Sequence, residues 1–276
     1  MLEPPKPPEP EQPAQLTPLG PAHVSQGSSG FGARFAFIYG GLGAILVASI
    51  VGLVLVARQP GAPKQPPWST WKPQTSSTAN MTKEIADHVA AEYKLTPSGD
   101  QLLAIVPGKP EITRNTKVSD VSTIAIRTSA SSQNFSRIIA TKGNVQLQLC
   151  GLGSECSIER GTATANRERL TRREALEVAL YTFKYVPSVN ALIAYMPPPP
   201  GQTPQTLLYL ERANLSDQLK QPIARTLPLT KPPLPAQSDS KESATIDRLT
   251  LPVEYSFGYQ PLANGTDALI LTPTSY

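Results

Sequence analysis

The residues of this sequence best placed for chemistry are two cysteines. Cys150 and Cys156 bracket the short sequence GLGSE, directly after the strand-like run VQLQLC at 145–150. Glycines allow a tight reversal of the chain, and a loop of this size can bring two Cα atoms within disulfide range. We predict a disulfide-bridged hairpin if this part of the chain lies outside the cytoplasm, and two reduced structural thiols if it lies inside.

A metal site is not supported by the other polar residues. Glu84, His88 and Glu92 recur every four residues, which would place a carboxylate, an imidazole and a carboxylate in a row along a helix. A structural zinc site takes about four ligands, and no second element supplies the rest. Since such rows are common on helix surfaces, we interpret this one as a solvated helix face and expect no metal and no cofactor.

Catalytic signatures are equally scarce. Ser69 and Lys72 have the S-x-x-K spacing of acyl-transfer serine enzymes. They lie in a Pro-rich segment without the companion K-T-G and S-D-N motifs, so we interpret the match as accidental. The sequence contains no G-x-S-x-G, G-x-G-x-x-G, Walker or H-E-x-x-H pattern, and we therefore predict no catalytic residue.

The densest basic cluster is a group of arginines between residues 160 and 173, interleaved with glutamates. Such interleaving at the start of a helix is typical of ion pairs between residues four apart. The alternative is a patch that contacts the phosphates of an envelope polymer or of lipid headgroups. The residues of that patch would be Arg167, Arg169, Arg172 and Arg173. The net charge of +4 is too small to argue for nucleic acid, and no nucleic-acid-binding motif is present.

Residues 35–57 form an apolar run without a charged side chain. A helix of this length spans about 34 Å, slightly more than the hydrocarbon core of a bilayer. A cleavable export signal has a shorter apolar region after a basic start, whereas the sequence before this run is acidic and Pro-rich. The run therefore predicts a transmembrane helix that anchors the protein in the lipid bilayer.

Small residues recur every four positions along this run. They are Gly40, Ala44, Ala48 and Gly52. On one helix face they would let a second helix approach closely, which predicts a homodimer through the transmembrane helix. The alternative is that glycine and alanine are simply common in membrane spans.

The rest of the chain divides by composition. Residues 1–34 are rich in proline and hold few apolar side chains, so burial cannot offset the entropy of ordering them, and we expect a disordered tail. Residues 58–79 are again Pro-rich and predict a semi-rigid linker. About 200 residues remain, from 80 to 276, which is enough for one soluble domain.

The soluble region alternates between helical and extended patterns. Apolar residues at helical spacing predict helices over 82–95 and 172–186, each followed by a proline, a polar turn and an apolar strand. The matching order indicates two repeated helix-strand-strand units, 80–150 and 170–275, which would bury a shared core; chance similarity is the alternative. We predict an α+β fold, with a mostly antiparallel sheet, two packed helices and one N-terminal transmembrane helix.

The orientation of the span rests on two opposing observations. On the N-terminal side Arg34 flanks the run, and on the C-terminal side stand Arg58, Lys64 and Lys72. By the positive-inside rule this favours a cytoplasmic C-terminal domain, but large domains are translocated with little regard to flanking charge. Because a cysteine pair suits an oxidising compartment, we predict a plasma-membrane protein with a cytoplasmic N-terminus and an extracytoplasmic domain.

Several phrases of the sequence resemble a family of uncharacterised single-pass membrane proteins of actinobacteria. They are RREALEVALYTFKY at 172–185, PPPPGQTPQTLLYLERANLSDQL at 197–219 and WSTWKP at 68–73, after a single span and a Pro-rich N-terminus. The resemblance implies this architecture and a cell-envelope location, and it implies no functional residues.

Together these features predict a membrane-anchored envelope protein that is not an enzyme. Its extracytoplasmic domain would bind another protein or a wall polymer, and its Pro-rich tail would be available to proteins that bind polyproline. Two alternatives stay open. One is an envelope enzyme with no recognisable motif, and the other is an interaction domain held at the inner face of the membrane.

Overall fold

In the computed structural model, the described residues are Ser49, 66–114, 117–162, 164–237 and 240–274. The predicted tail, the predicted span apart from Ser49, and the small-residue face of Gly40, Ala44, Ala48 and Gly52 lie outside them. Along the described residues, no helix combines the length and hydrophobicity needed to cross a bilayer. The chain divides into the units Met1–Lys64 and Gln65–Tyr276, and the fold described below is that of the second unit.

Helices and strands alternate irregularly along this unit. The helices are α1 (Thr78–Glu92), α2 (Ala165–Tyr185), α3 (Ser216–Lys220), α4 (Ile223–Thr226) and α5 (Ser240–Thr250). The strands are β1 (Ala104–Gly108), β2 (Glu111–Arg114), β3 (Lys117–Arg127), β4 (Phe135–Ala140), β5 (Asn144–Cys150), β6 (Ala191–Tyr195), β7 (Thr206–Glu211), β8 (Glu254–Pro261) and β9 (Asp267–Pro273). Short 3₁₀ turns lie at Ser154–Cys156 and Leu251–Val253.

The two long helices start earlier than their apolar periodicity predicts, because a hydroxyl caps each one. The Ser77 hydroxyl accepts a hydrogen bond from the Asn80 amide at 3.2 Å, and the Thr164 hydroxyl accepts one from the Arg167 amide at 3.2 Å. Each cap satisfies an amide that would otherwise lack a partner in the first turn. The polar first turn of α2 is thereby included in the helix.

The described strands form one nine-stranded sheet in the order β1-β5-β6-β7-β8-β9-β3-β2, with β4 also paired to β3. The α+β class is confirmed. The sheet is mixed, however: β5 pairs with β6 and β3 pairs with β9 in parallel, while the other pairings are antiparallel. The parallel pair β5 and β6 arises because α2 connects them, and a crossover through a helix returns the chain in the same direction.

The sheet buries apolar side chains on both faces. Leu208 and Leu210 of β7 pack with α1 and α2 in one core, whereas Leu207 and Tyr209 belong to a second core with β3 and β9. Because successive side chains of a strand point to opposite faces, a strand covered on both sides is apolar throughout. This arrangement makes β6 and β7 the centre of the domain.

The two predicted repeat units share their local order but not their strand pairing. In the first, α1 precedes β1, and in the second, α2 precedes β6; β1 and β6 lie on either side of β5. In the second unit β6 pairs with the next strand, β7. In the first unit β3 pairs with β2, β4 and β9 instead of β1.

Candidate functional site

A cleft of about 490 Å³ opens where α2 begins. Residues 158–161, the first two turns of α2, residues 196–200 and the start of β8 form its walls. We call it the α2 cleft. Its lining combines apolar surface, from Met196 and the prolines that follow it, with the charged side chains of Arg167 and Glu254. A volume in this range and a mostly apolar lining with a few polar groups are typical of small-molecule sites.

Arg167 is the buried cation of this cleft. Its side chain belongs to a residue only 2 % exposed, and its Nη1 donates a hydrogen bond to the Arg160 carbonyl. Its Nε is buried without a hydrogen-bond partner, and no carboxylate among the described residues forms an ion pair with it. Burial lowers the pKa of the Arg167 guanidinium. Within the part of the chain that the structure describes, the buried charge therefore has no counter-ion.

Gly161 makes room for this guanidinium. Its φ is +79°, a conformation that favours glycine, and a Cβ added to it would lie 2.6 Å from Nη1 of Arg167. Arg167 also lines a smaller cavity of about 70 Å³, together with Asp100 and Arg160. Arg167 thus lines both cavities.

The disulfide loop supports one wall of the cleft. Cys150 and Cys156 are bonded, with an S–S distance of 2.03 Å and a Cα–Cα distance of 4.1 Å. The Gly151 amide donates to the Cys156 carbonyl at 2.9 Å, which closes the loop. The Ile158 amide then donates to the Pro198 carbonyl at 2.9 Å and joins two of the segments that line the cleft. The loop therefore positions the residues that surround Arg167.

The neighbouring arginines point into ion pairs within the domain. Arg173, 1 % exposed, contacts Glu242 through Nε at 2.5 Å and Glu177 through Nη1 at 2.8 Å. The Tyr93 hydroxyl also accepts a hydrogen bond from Arg173 Nη1, at 2.5 Å. Burial by itself lowers the pKa of Arg173, but Tyr93, Glu242 and Glu177 outweigh it, so the pKa is raised. These contacts of Arg173 join α2 to α5 through Glu242 and to the end of α1 through Tyr93.

Arg169 and Arg172 form ion pairs with a side chain of α5. Arg169 Nε lies 3.1 Å from Asp247 of α5, and Arg172 Nη2 lies 2.9 Å from the same carboxylate. Arg172 also lies 3.6 Å from Glu168, four residues earlier. Of the four arginines of the predicted surface patch, three are buried, and the pairing supports the ion-pair interpretation of the cluster. A polymer outside the domain does not reach Arg172 or Arg173.

Glu174, in the same helix, has no hydrogen-bond partner among the described residues. It is 0 % exposed, and neither carboxylate oxygen has a hydrogen-bond partner among the described residues. Burial raises the pKa of Glu174 well above its ordinary value, and the charge of Glu177 adds to the effect. Burial therefore favours the protonated, uncharged form of this side chain.

The row Glu84, His88 and Glu92 is not a plain solvated face. The Glu84 carboxylate accepts hydrogen bonds from the backbone amides of Gln74, at 2.8 Å, and Thr75, at 3.1 Å. His88 stacks on Trp71 with ring centroids 3.9 Å apart. We call residues 68–75 the docked linker, because these contacts hold them against the domain. Among the described residues no group of three or more His, Cys, Asp or Glu side chains could hold a metal ion.

The docked linker also contacts α2. Trp68 lies edge-on to Tyr181 and Tyr185, with centroid distances of 5.3 and 5.7 Å. The Ser69 hydroxyl lies 2.9 Å from the Tyr181 hydroxyl, and it also bonds to the Trp71 carbonyl. Ser69, the serine of the S-x-x-K spacing, thus has a structural role in this contact.

Sequence reasoning missed several residues of the α2 cleft. Glu254 and Thr171 had no signature, and the prolines after Met196 were used only for the family resemblance. The one available signal was the glycine of the sequence RGTAT directly before α2, since Gly161 precedes a capped helix. Comparisons with protein-family models, with curated proteins and with solved structures gave no match. The resemblance to actinobacterial membrane proteins therefore stays a prediction.

Proposed function

We propose that this protein is a single-pass, membrane-anchored protein of the cell envelope whose extracytoplasmic domain binds a small ligand in the α2 cleft without transforming it. The anchor is the apolar run 35–57, with the N-terminus in the cytoplasm. The ligand is a small molecule or the end of a wall polymer or protein that fits the cleft. A homodimer through the span is compatible with this function and is not required by it.

The α2 cleft is the observation that carries the binding role. It is roughly the size at which drug-sized molecules bind, and it is built around buried charge: Arg167 is 2 % and Glu254 9 % exposed. Charged groups are rarely buried at a cavity wall without a purpose, because removing them from water costs free energy. The Pro-rich wall after Met196 supplies apolar contact area on the opposite side.

The extracytoplasmic location is supported by the disulfide and by the length of the apolar run. A disulfide between Cys150 and Cys156 persists in an oxidising compartment and is rare in the cytosol. Residues 35–57 are long enough to cross a bilayer as a helix. The positive-inside rule opposes this orientation, but it is weak for large translocated domains.

The binding role is tested by filling the cleft. Ala165 is an exposed residue that lines the cleft at the first turn of α2, so Ala165→Trp should occupy the cleft without disturbing the core. Ala91→Trp, at an exposed position of α1, is the matched control. We expect compounds from a small-molecule collection that raise the melting temperature of the full-length protein in nanodiscs to lose this effect in A165W and keep it in A91W. A collection that yields no binder, or binders unaffected by A165W, would contradict the proposal.

The orientation is tested by cysteine labelling in intact cells. Ser129 is exposed, outside the disulfide loop, and Ala14 lies in the predicted cytoplasmic tail. We expect a membrane-impermeant maleimide to label Ser129→Cys and not Ala14→Cys. The reverse pattern would place the domain at the inner face of the membrane.

Catalysis in the same cleft is the second candidate, and one observation favours it. Three glutamates, Glu159, Glu168 and Glu254, line the α2 cleft, and carboxylates can act as general acids and bases. Conversion of a bound compound by the wild-type protein and not by Glu254→Gln would establish an enzyme. Recovery of the compound unchanged would establish binding alone.

A further inference from the structure

One edge of the Arg167 guanidinium has no hydrogen-bond partner among the described residues. Its Nη1 is occupied by the Arg160 carbonyl, whereas Nε is buried without a partner and Nη2 forms no hydrogen bond with the described residues. The Nε and Nη2 protons of a guanidinium point in parallel, and this edge matches the two oxygens of a carboxylate or a phosphate. Nε and Nη2 are therefore the guanidinium donors that lack a partner among the described residues.

The other buried arginines are structural, and each of them is paired with a carboxylate of the domain. Arg173 is paired with Glu242 and Glu177, and Arg172, 4 % exposed, is paired with Asp247 at 2.9 Å. A buried charge is costly unless it is paired. Arg167 is equally buried, has no acidic partner among the described residues and lines a cleft large enough for a ligand. The described part of the chain therefore leaves the position of its anionic partner open to a ligand.

The surroundings of Arg167 limit the charge of that partner. Glu159, Glu168 and Glu254 line the same cleft, and their carboxylates disfavour a ligand with several negative charges. The start of α2, where Thr164 and Ala165 line the cleft, favours a single anionic group, because the positive end of the helix dipole lies there. The prolines of the opposite wall favour an apolar body next to that group.

We infer that the α2 cleft binds a ligand with one singly charged oxyanion, a carboxylate or a phosphodiester, and that Arg167 holds this group through Nε and Nη2. This inference rests on the proposed binding function and specifies the chemistry of the ligand. The carboxylate would come from a small acid or a peptide end, and the phosphodiester from a lipid headgroup or a wall polymer. Both oxyanions present two oxygens at the spacing of the guanidinium edge.

The experiment measures the melting temperature of the full-length protein in nanodiscs with four probes. They are N-acetylleucine, its uncharged methyl ester, dimethyl phosphate and inorganic sulfate. We expect N-acetylleucine or dimethyl phosphate to stabilise the wild-type protein, the methyl ester to have no effect, and sulfate, a dianion, to be weaker. The stronger of the two monoanions identifies the source of the oxyanion.

Three variants assign the effect to Arg167. Arg167→Met should lower the affinity for the monoanion about 10- to 100-fold, as expected for a hydrogen bond to a charged group. Arg167→Lys keeps the charge but lacks the two parallel N–H donors of the guanidinium, so its affinity should be intermediate. Arg248→Met, at an exposed position of α5, removes the same charge and should bind as the wild type does. If Arg167 has only a structural role, its replacement should lower the melting temperature of the ligand-free protein. If it is an unpaired buried charge, its replacement should leave this melting temperature unchanged or raise it.

The outcomes separate this inference from the proposed function. Binding of either monoanion to the wild-type protein that is weakened in R167M supports the inference. Equal stabilisation of R167M, or no stabilisation by either monoanion, overturns it. If uncharged compounds still bind the wild type and not A165W, the binding function stands although the oxyanion is excluded. If nothing binds, both proposals fail.

Discussion

The indole ring of Trp71 stacks on the imidazole ring of His88, with centroids 3.9 Å apart and planes inclined by 10°. The two residues belong to the docked linker and to α1, and Tyr181 of α2 lies edge-on to both rings. The linker is therefore attached to the helix pair by aromatic contacts, of which His88 is the one group that titrates near neutral pH. Protonation of this imidazole is expected to affect how firmly the linker is held.

Acidification should weaken the domain through His88. Burial lowers the pKa of His88, and the nearby charge of Glu92 opposes this only in part. Below the ordinary histidine pKa of about 6.5 the unfolded chain takes up a proton more readily than the folded domain, so stability falls as the pH is lowered through this range. We expect the urea midpoint of the wild type to drop between about pH 8 and about pH 5 more than that of His88→Gln. Identical pH profiles of the two proteins would show that His88 does not contribute.

Removal of the buried arginine next to Glu242 should destabilise the domain strongly. In Arg173→Met the carboxylates of Glu242 and Glu177 lose the cation that lies 2.5 and 2.8 Å away. Breaking a buried ion pair by removing one partner costs about 3–5 kcal/mol, which urea unfolding would measure. The control is Asp87→Asn, which breaks the exposed pair with Lys83 and should change stability by less than about 1 kcal/mol. Similar losses in both variants would contradict the structural role of the buried pair.

Loss of the disulfide should lower stability moderately. The loop closed by Cys150 and Cys156 is short, and cross-linking such a loop stabilises a protein by about 2 kcal/mol. We expect a loss of this size in the double variant C150S/C156S, measured by urea unfolding. A dithiol reductant should destabilise the wild type equally and leave the double variant unchanged. The prediction would be refuted if the reductant left the urea midpoint of the wild type unchanged although thiol titration showed that both cysteines were reduced.

Replacement of Glu174 should stabilise the domain, unlike the other core substitutions. Its carboxyl group is fully buried and has no hydrogen-bond partner among the described residues, and an unsatisfied buried polar group costs about 1–3 kcal/mol. Because burial raises the pKa of Glu174 in the folded state, the unfolded chain releases the proton first, and stability falls as the pH rises above about 4.5. We expect Glu174→Met to raise the urea midpoint and to flatten this decline.

The matched control for Glu174 is its neighbour in the same helix. Glu177 accepts hydrogen bonds from the Tyr93 hydroxyl at 2.7 Å and from Arg173 at 2.8 Å. Glu177→Met should therefore destabilise the domain although it removes the same carboxyl group. A loss of stability in both variants would contradict the conclusion that the carboxyl group of Glu174 is unsatisfied.

The sequence predicted the fold where local rules decide it. The helical periodicity around Leu176 and Leu180, and the apolar runs at 191–195 and 206–211, correspond to α2, β6 and β7. These predictions succeed because propensity and spacing act within a few residues. The parallel pairing of β5 with β6 was missed because strand direction depends on a crossover that no local pattern records.

The site could be predicted only in part. Arg167 was among the arginines singled out, but the sequence could not tell it from Arg173, which is equally charged and lies less than about two turns away in the same helix. The distinction is made by Glu242, 69 residues after Arg173 in the chain, which pairs with Arg173, whereas no carboxylate among the described residues pairs with Arg167. Glu254 joins the cleft in the same way, from the start of β8.

The sequence by itself determined the division of the chain by composition, the two long helices α1 and α2, the apolar strands β6 and β7 and the short cysteine loop, since each depends on residues that are close in the chain. Only the tertiary structure decided which charges are buried, which of them are paired, and where a cleft opens. Those properties depend on elements that meet across the sheet and between α2 and α5. Burial then sets the free energy of each charge, and so makes Arg173 a structural residue and Arg167 a candidate for ligand binding.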